Sequence, residues 1–110
     1  MLRRSFTAVI ERNVPVADGF VTEPYETAWV DEARWFVHVL EASPGAKITF
    51  AAETSPEGLT WCVHEAAAVS HTGSGLATLP LTEVGPWQRL RFAVEGAESV
   101  RAIVYLTLKG

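Results

Sequence analysis

The sequence predicts an all-β protein, a two-sheet antiparallel β-sandwich of the jelly-roll kind with about seven or eight strands. Apolar and polar residues alternate with a period of two along most of the chain. Clusters of Gly, Pro, Asn, Asp and Ser interrupt the alternation roughly every 8–12 residues, a spacing typical of sandwiches and barrels. The length of 110 residues fits a single domain over residues 1–110 with one hydrophobic core.

The alternation predicts the strands in chain order, and each strand ends where turn residues accumulate. The Ser-Pro-Gly sequence at 43–45 is such a signal, and we expect it to close a hairpin between its two neighbours. A loop covers 13–25, with one short extended piece at 20–22, and a polar loop covers 71–75. The predicted strands are 5–12, 26–31, 34–42, 46–54, 60–66, 76–81, 87–95 and 100–108.

The last two strands form the clearest predicted hairpin. Inward side chains on paired strands must have matching parity, which pairs Phe92 with Val104 and Leu90 with Leu106. The same register gathers outward arginine, tyrosine and isoleucine side chains, a composition that protein interfaces favour. The alternative is that the 13–25 loop folds over this face. The candidate interface consists of Arg89, Arg91, Arg101, Ile103 and Tyr105.

The composition argues against several classes of partner. The net charge is −4, so there is no basic field to attract phosphate backbones, and we expect no nucleic-acid partner. No run approaches the ~18 apolar residues needed to span a bilayer, so we expect no membrane partner. Arg3 and Arg4 resemble the core of a twin-arginine export signal, but Glu11 and Arg12 interrupt the apolar segment that should follow. We therefore expect cytoplasmic synthesis without a signal peptide.

The reactive side chains are scattered, and they predict no catalytic site, no cofactor and no metal ion. Cys62 is the single cysteine, and it shares a strand face with His64, which could begin a zinc site or a thiolate–imidazole pair. No spacing supports further ligands from His38 or His71. We interpret the pair as a small buried thiol beside a hydrogen-bonded histidine. The carboxylates show no catalytic or ligand spacing and are expected on the solvated surface.

Four tryptophans are a high number for this length. We expect two of them in the core and two at sheet edges. Exposed aromatic rings can stack on sugars, so Trp87 and Trp29 form the candidate sugar-stacking site of an alternative function. Trp87, at the mouth of a strand, is the one expected to be most exposed. The expected core includes Trp35, Phe50, Trp61, Phe92 and Val104.

The segment from Glu53 to Trp61 has the sequence Glu-Thr-Ser-Pro-Glu-Gly-Leu-Thr-Trp. It resembles the Ser-x-Asp-Gly-x-x-Trp hairpin of discoidin-like and galactose-binding-like jelly rolls, which also occurs in phage and prophage β-sandwich proteins. In physical terms it is a turn in which Gly58 takes a positive φ, Glu57 caps the turn, and Trp61 returns to the core. Glu57 stands where aspartate is usual. The resemblance covers roughly residues 28–108; it implies the fold and assigns no binding residue.

These observations favour a non-catalytic structural or binding role. Our leading hypothesis is an accessory component, a decoration or tail protein, of a bacteriophage or phage-derived particle. Such a protein would act as a homo-oligomer or docked on a larger shell or tail, because a sandwich with a partly apolar outer face needs a partner. The alternative is a carbohydrate-binding module that uses exposed tryptophan, and a small cytosolic enzyme comes third.

Overall fold

The computed structural model describes residues 4–110, and those residues form nine strands. The described chain contains no helix that could cross a membrane. The expected export-signal resemblance falls partly on Arg3, which lies outside the described residues. The strands are β1 (Ser5–Ala17), β2 (Tyr25–Glu26), β3 (Glu32–Glu41), β4 (Lys47–Ser55), β5 (Cys62–Val63), β6 (Val69–Thr72), β7 (Gly75–Thr82), β8 (Trp87–Glu95) and β9 (Ser99–Lys109).

The strands form two antiparallel sheets that enclose one core. The front sheet has four strands in the order β1-β9-β3-β7. The back sheet has five strands, four of them in the order β2-β8-β4-β5, and its fifth strand, β6, pairs with β4. The predicted two-sheet antiparallel sandwich is therefore confirmed.

The core is built from the residues that the period-two pattern points inward. Every second residue of β8 and of β9 is buried. The Phe92 ring packs against Phe50 at a centroid distance of 5.7 Å and against Phe20 at 6.0 Å, in the tilted geometry that aromatic pairs favour. Four predicted core residues are buried, and they are Trp35, Phe50, Phe92 and Val104. The fifth, Trp61, is not part of this core.

The predicted hairpin between the last two strands is wrong, because β8 and β9 lie in different sheets. β8 pairs with β2 and β4, whereas β9 pairs with β1 and β3. Phe92 consequently lies opposite Phe50 instead of Val104. The inward residues of two strands can match when the strands pair within one sheet, and they can match equally well when the strands face each other across the core. The alternation of apolar and polar residues therefore could not distinguish the two arrangements.

The turn at 43–45 is also a crossing between sheets and not a hairpin, because it joins β3 of the front sheet to β4 of the back sheet. It touches the crossing between β8 and β9. A Cβ atom placed on Gly96 would lie 2.7 Å from the backbone oxygen of Gly45, and Gly96 has a φ of +76°. The two crossings therefore pack so closely that one of them needs glycine.

The first strand is longer than the sequence predicted, and its second half replaces part of the expected 13–25 loop. Two bulges interrupt its pairing with β9, one between Val9 and Glu11 and one between Glu11 and Val14. Asn13, within the second bulge, takes a φ of 53°. Each bulge inserts an unpaired residue, which breaks the alternation that a regular strand would show.

Three further segments differ from their predicted bounds. The predicted strand at 26–31 shrinks to β2 because residues 28–29 form a turn, and the predicted strand at 60–66 shrinks to β5. Part of the expected 71–75 loop belongs to β6. The short extended piece at 20–22 is present, since Val21 bridges to Arg91.

Candidate functional site

The five residues of the candidate interface lie on two opposite surfaces of the sandwich. Arg89 and Arg91 project from the outer surface of the back sheet, because β8 belongs to it. The other three residues project from the outer surface of the front sheet, and they are Arg101, Ile103 and Tyr105. The single patch expected from the hairpin therefore does not exist, and two separate surfaces replace it.

The front sheet carries an apolar outer surface, which we call the front face. In one cross-strand row Tyr105 lies between Val9 of β1 and Phe36 of β3. In the next row Ile103 is followed by His38 and then by Leu76 of β7. Val9 is 40% exposed and Leu76 is 59% exposed. The front face is defined by Val9, Phe36, Leu76, Ile103 and Tyr105.

The sequence pattern indicated Ile103 and Tyr105 but not the other three members of the front face. Phe36 occupies an outward position of β3, where a solvated strand would carry a polar residue. That position was visible in the alternation of the predicted strand at 34–42. Which strands lie beside β9 was not visible, because strand order depends on long-range pairing.

Two features border the front face. The Arg101 guanidinium donates from Nη1 to the backbone oxygen of Asn13 at 3.0 Å and to its Oδ1 at 3.2 Å. These bonds tie the beginning of β9 to the bulged part of β1. At the opposite end, a hollow of about 460 Å³ is lined by apolar, hydroxyl and charged side chains, among them Phe36, Leu81, Thr107 and Arg34.

The back sheet carries a compact charge cluster on its outer surface. Arg89 donates from Nε to Glu53 Oε1 at 2.7 Å, and Arg91 donates from Nε to Glu53 Oε2 at 3.0 Å. Burial raises the pKa of the Glu53 carboxyl, but hydrogen bonds from the two arginines and their charges outweigh it and lower the pKa below its ordinary value. Glu53 is therefore ionised and held in one position, with each of its oxygens bound to an arginine.

Trp61 belongs to this cluster and not to the core, so its predicted burial is wrong. The Arg89 guanidinium carbon lies 4.3 Å from the centroid of the Trp61 ring, a cation–π stack on the outer surface of the back sheet. Trp61 remains half-buried because the arginine covers it. A tryptophan after a tight turn can pack on either face of a sheet. The alternation of apolar and polar residues around Trp61 did not indicate which face it takes.

The turn that precedes Trp61 has the predicted mechanics. Gly58 takes a φ of +85°, and Glu57 Oε1 accepts hydrogen bonds from the backbone N–H groups of Leu59 at 3.2 Å and Thr60 at 2.8 Å. The Ser55 hydroxyl donates to the same oxygen at 2.9 Å. These bonds, led by the one from Thr60, lower the pKa of the Glu57 carboxyl to about 2. The capped turn lies at one end of the back sheet, between β4 and β5.

The two tryptophans proposed for sugar stacking each have one ring face covered. The guanidinium carbon of Arg4 lies 4.2 Å from the centroid of the Trp29 ring. The Trp87 ring lies against Gly58, where an added Cβ atom would be 3.2 Å from the ring. Both side chains are half-buried. Sugar stacking on the remaining faces stays a prediction.

The cysteine–histidine pair separates in the structure. His64 is buried; its Nε2 lies 3.0 Å from the Thr82 backbone oxygen, and its Nδ1 accepts from the Ala66 N–H at 3.0 Å. This pattern requires the neutral ring with its proton on Nε2. Cys62 is exposed, so the predicted burial of the thiol is wrong. β5 has two residues at the margin of the back sheet, and both are exposed.

The fold is shared with several solved structures at low sequence identity. The exported protein XepA of PBSX superposes with a TM-score of 0.67 at 11% identity over 94% of this chain and 36% of XepA. The prophage SPBc2-derived protein YomS superposes with a TM-score of 0.56 at 10% identity, over 100% of this chain and 96% of YomS. A Bacillus endospore appendage protein gives 0.58 at 11% identity, over 98% and 85% of the two chains. This chain has the same fold.

The chain spans about a third of the length of XepA but nearly all of YomS. The resemblance to jelly-roll sandwiches of the kind found in prophage proteins is therefore confirmed at the level of the fold. No protein-family model matches the sequence, and no curated protein matches it.

Proposed function

We propose that this protein is a non-catalytic structural subunit of a phage-derived particle and that it docks on its neighbours through the front face. The observation that carries the proposal is the row of aromatic and aliphatic side chains on the outside of the front sheet, with Val9, Tyr105 and Phe36 side by side. Outward positions on a solvated sheet usually hold polar and charged residues, whereas interfaces are enriched in tyrosine and phenylalanine.

The rival explanation for this apolar surface was a loop of the same chain folded over it. The structure places that segment elsewhere. Residues up to Ala17 belong to β1, the Asp18 carboxylate accepts from the Val94 N–H at 3.0 Å, and Phe20 packs on Phe92. Residues 18–25 thus follow β8 of the back sheet, which supports docking of a partner on the front face.

The back sheet supports the non-catalytic part of the proposal. Glu53 is the buried carboxylate among the described residues, and it is the natural candidate for acid or base chemistry. Arg89 and Arg91 each occupy one of its oxygens, and its lowered pKa keeps it ionised. A carboxylate with both oxygens bound to arginine neither delivers nor accepts a proton readily, so its role is to hold strands β4 and β8 together.

The likeness to prophage-derived proteins supports the assignment to a particle. XepA and YomS cover 94% and 100% of this chain in superposition, and the appendage protein covers 98%. XepA is an exported protein of PBSX, YomS is a prophage SPBc2-derived protein, and the endospore appendages form disulfide-linked pili. A sandwich of this shape that repeats in an assembly needs one face free for docking, which the front face provides.

Charge substitutions on the front face test the docking proposal. Ile103→Asp and Tyr105→Asp should each remove an assembly that the parent forms, because a carboxylate buried at an interface has no partner there. Light scattering on the purified proteins measures the assembly, and far-ultraviolet circular dichroism checks that the sandwich remains folded. Ala93→Asp places the same charge on the outer surface of the back sheet and is the matched control.

The expected result is dissociation of both front-face variants with the Ala93→Asp protein still assembled. A parent protein that is a monodisperse monomer and binds no particle or shell would contradict the proposal. Equal behaviour of all three variants would also contradict it, since the effect would then follow charge and not the face.

A further inference from the structure

The free edges of the two sheets are not equally protected. In the back sheet the described outer strands are short: β2 and β5 have two residues each, and β6 has four. In the front sheet, β7 carries Pro80, which has no N–H to offer. The other edge is β1, which has 13 residues. Short strands and prolines are common ways to block pairing at an edge, and the first half of β1 has neither.

The hydrogen-bonding pattern shows which groups of β1 are open. The Arg4 N–H donates to the Gly110 oxygen at 3.1 Å, and the Gly110 N–H donates to the Arg4 oxygen at 3.0 Å. Bonded and non-bonded pairs alternate along an antiparallel ladder, so the even-numbered residues that follow also bond to β9. The odd-numbered residues turn their backbone N–H and C=O groups to the open edge, and these are Ser5, Thr7 and Val9.

The side chains of this segment do not protect the edge. The run Ser-Phe-Thr-Ala-Val-Ile at 5–10 contains no charge and no proline. Phe6 is 52% exposed and Val9 is 40% exposed. The bulge after Val9 and the positive φ of Asn13 end the regular edge, so the open ladder is limited to 5–9. A short uncharged strand with large exposed side chains is a template for pairing with another strand.

We propose that β1 pairs antiparallel with β1 of a second copy of this chain, with a twofold axis at Thr7. In this register Thr7 faces the partner's Thr7, and Ser5 faces the partner's Val9. All three open residues of each copy then bond across the axis, and the two front sheets become one sheet. The pairing goes beyond docking through the front face, because it uses the sheet edge.

The segment is complementary to itself in this register. Phe6 lies opposite the partner's Ala8, and Val9 lies opposite the partner's Ser5, so that each large side chain meets a small one. Moving the axis to Ala8 would place Arg4 opposite the partner's Arg12, a pair of like charges. The choice of a second copy as occupant rests on this self-complementarity.

Proline at position 7 tests the pairing. The Thr7 N–H points to the open edge, so Thr7→Pro removes a donor of the proposed dimer without removing a donor of the β1–β9 ladder. We expect the parent to be a dimer in light scattering at micromolar concentration and Thr7→Pro to dissociate at least about tenfold more readily. Thr7→Val keeps the N–H and the β-propensity, and it should remain dimeric.

A charge exchange tests the register and does not depend on the proline variant folding. Thr7→Lys and Thr7→Glu should each lose the edge-paired dimer, because residue 7 faces its own copy across the axis and like charges repel. Mixing the two variants should restore a one-to-one dimer, detected by native mass spectrometry. A mixture that stays monomeric would overturn the register centred on Thr7.

The two proposals fail in different ways. If Ile103→Asp dissociates the parent while Thr7→Pro does not, edge pairing is overturned and docking through the front face stands. If Thr7→Pro alone dissociates it, edge pairing stands without the front face. A parent that is monomeric at every concentration up to about 1 mM, the range of the weakest specific complexes, overturns edge pairing outright.

Discussion

Phe92 lies at the centre of the core, between Phe50 and Phe20 and 2% exposed. Phe92→Ala should lower the free energy of unfolding by about 3–5 kcal/mol, because it removes a buried ring and leaves a cavity between the sheets. Urea unfolding followed by tryptophan fluorescence measures the loss. A variant that melts within a degree of the parent would show that β8 faces the other way.

Glu57 stabilises its turn only while it is ionised. The pKa of its carboxyl is lowered from the usual 4.5 to about 2, chiefly by the Thr60 N–H and then by Ser55 and the Leu59 N–H. A group whose pKa is lower in the folded state contributes stability above its unfolded pKa and loses it as the pH falls through the folded value. Glu57→Ala should therefore melt below the parent at pH 7, and the difference should shrink between about pH 4.5 and 2.

Thermal melts of parent and variant at matched pH values and constant salt check this prediction. A difference in melting temperature that stays constant from pH 7 to pH 2 would mean that the Glu57 side chain acts through packing. The exposure of Glu57 argues against packing.

At the scale of single residues, alternation predicted the direction of most strand side chains. Phe92 and Val104 were correctly placed in the core because a strand points successive residues to opposite faces. Trp61 was misplaced because it stacks on Arg89, a residue distant in the chain. The exposure of Cys62 was missed because burial at a sheet margin depends on which strand lies beside it.

The two turns that cross between the sheets give a prediction at the scale of elements. Gly96 and Gly73 both have a φ of +76°, but only Gly96 has backbone close to where a Cβ atom would be, at 2.7 Å from the Gly45 oxygen. Alanine at either position has the strain of a left-handed backbone, about 1–2 kcal/mol. Gly96→Ala should cost at least about 1 kcal/mol more than Gly73→Ala, because the clash forces the crossings apart.

Gly73→Ala is the matched control, since nothing lies within 4 Å of the added atom. Denaturant unfolding of the two variants measures the difference. Equal losses would show that the crossings at 43–45 and 96 have room to separate without cost.

At the scale of elements, the strands were predictable and their irregularities were not. β4, β8 and β9 lie within two residues of their predicted bounds, since each alternates regularly. β1 extends past its predicted end through bulges that hide its continuation. The second half of β6, residues 71–72, was assigned to a loop because its residues are polar, and only the pairing with β4 makes it part of a strand.

At the scale of the whole molecule, the sandwich was predictable but the assignment of strands to sheets was not. Composition and turn spacing indicate two layers, because each strand needs to bury one face. Placing β8 and β9 in opposite sheets requires contacts between residues far apart in the chain. For this reason the five residues of the candidate interface were correctly identified as outward but wrongly placed together.

Pro80 in β7 limits how many further copies can pair with the edges of the front sheet. The β7 edge contains an imide nitrogen in place of an N–H donor, and the β1 edge is open, so the front sheet has one edge that can pair with another strand. Pairing through β1 would occupy that edge, since β7 would then form both outer margins of the joined sheet. Edge association therefore terminates at two copies instead of polymerising into a fibre, and any longer array of this protein has to be built through its faces.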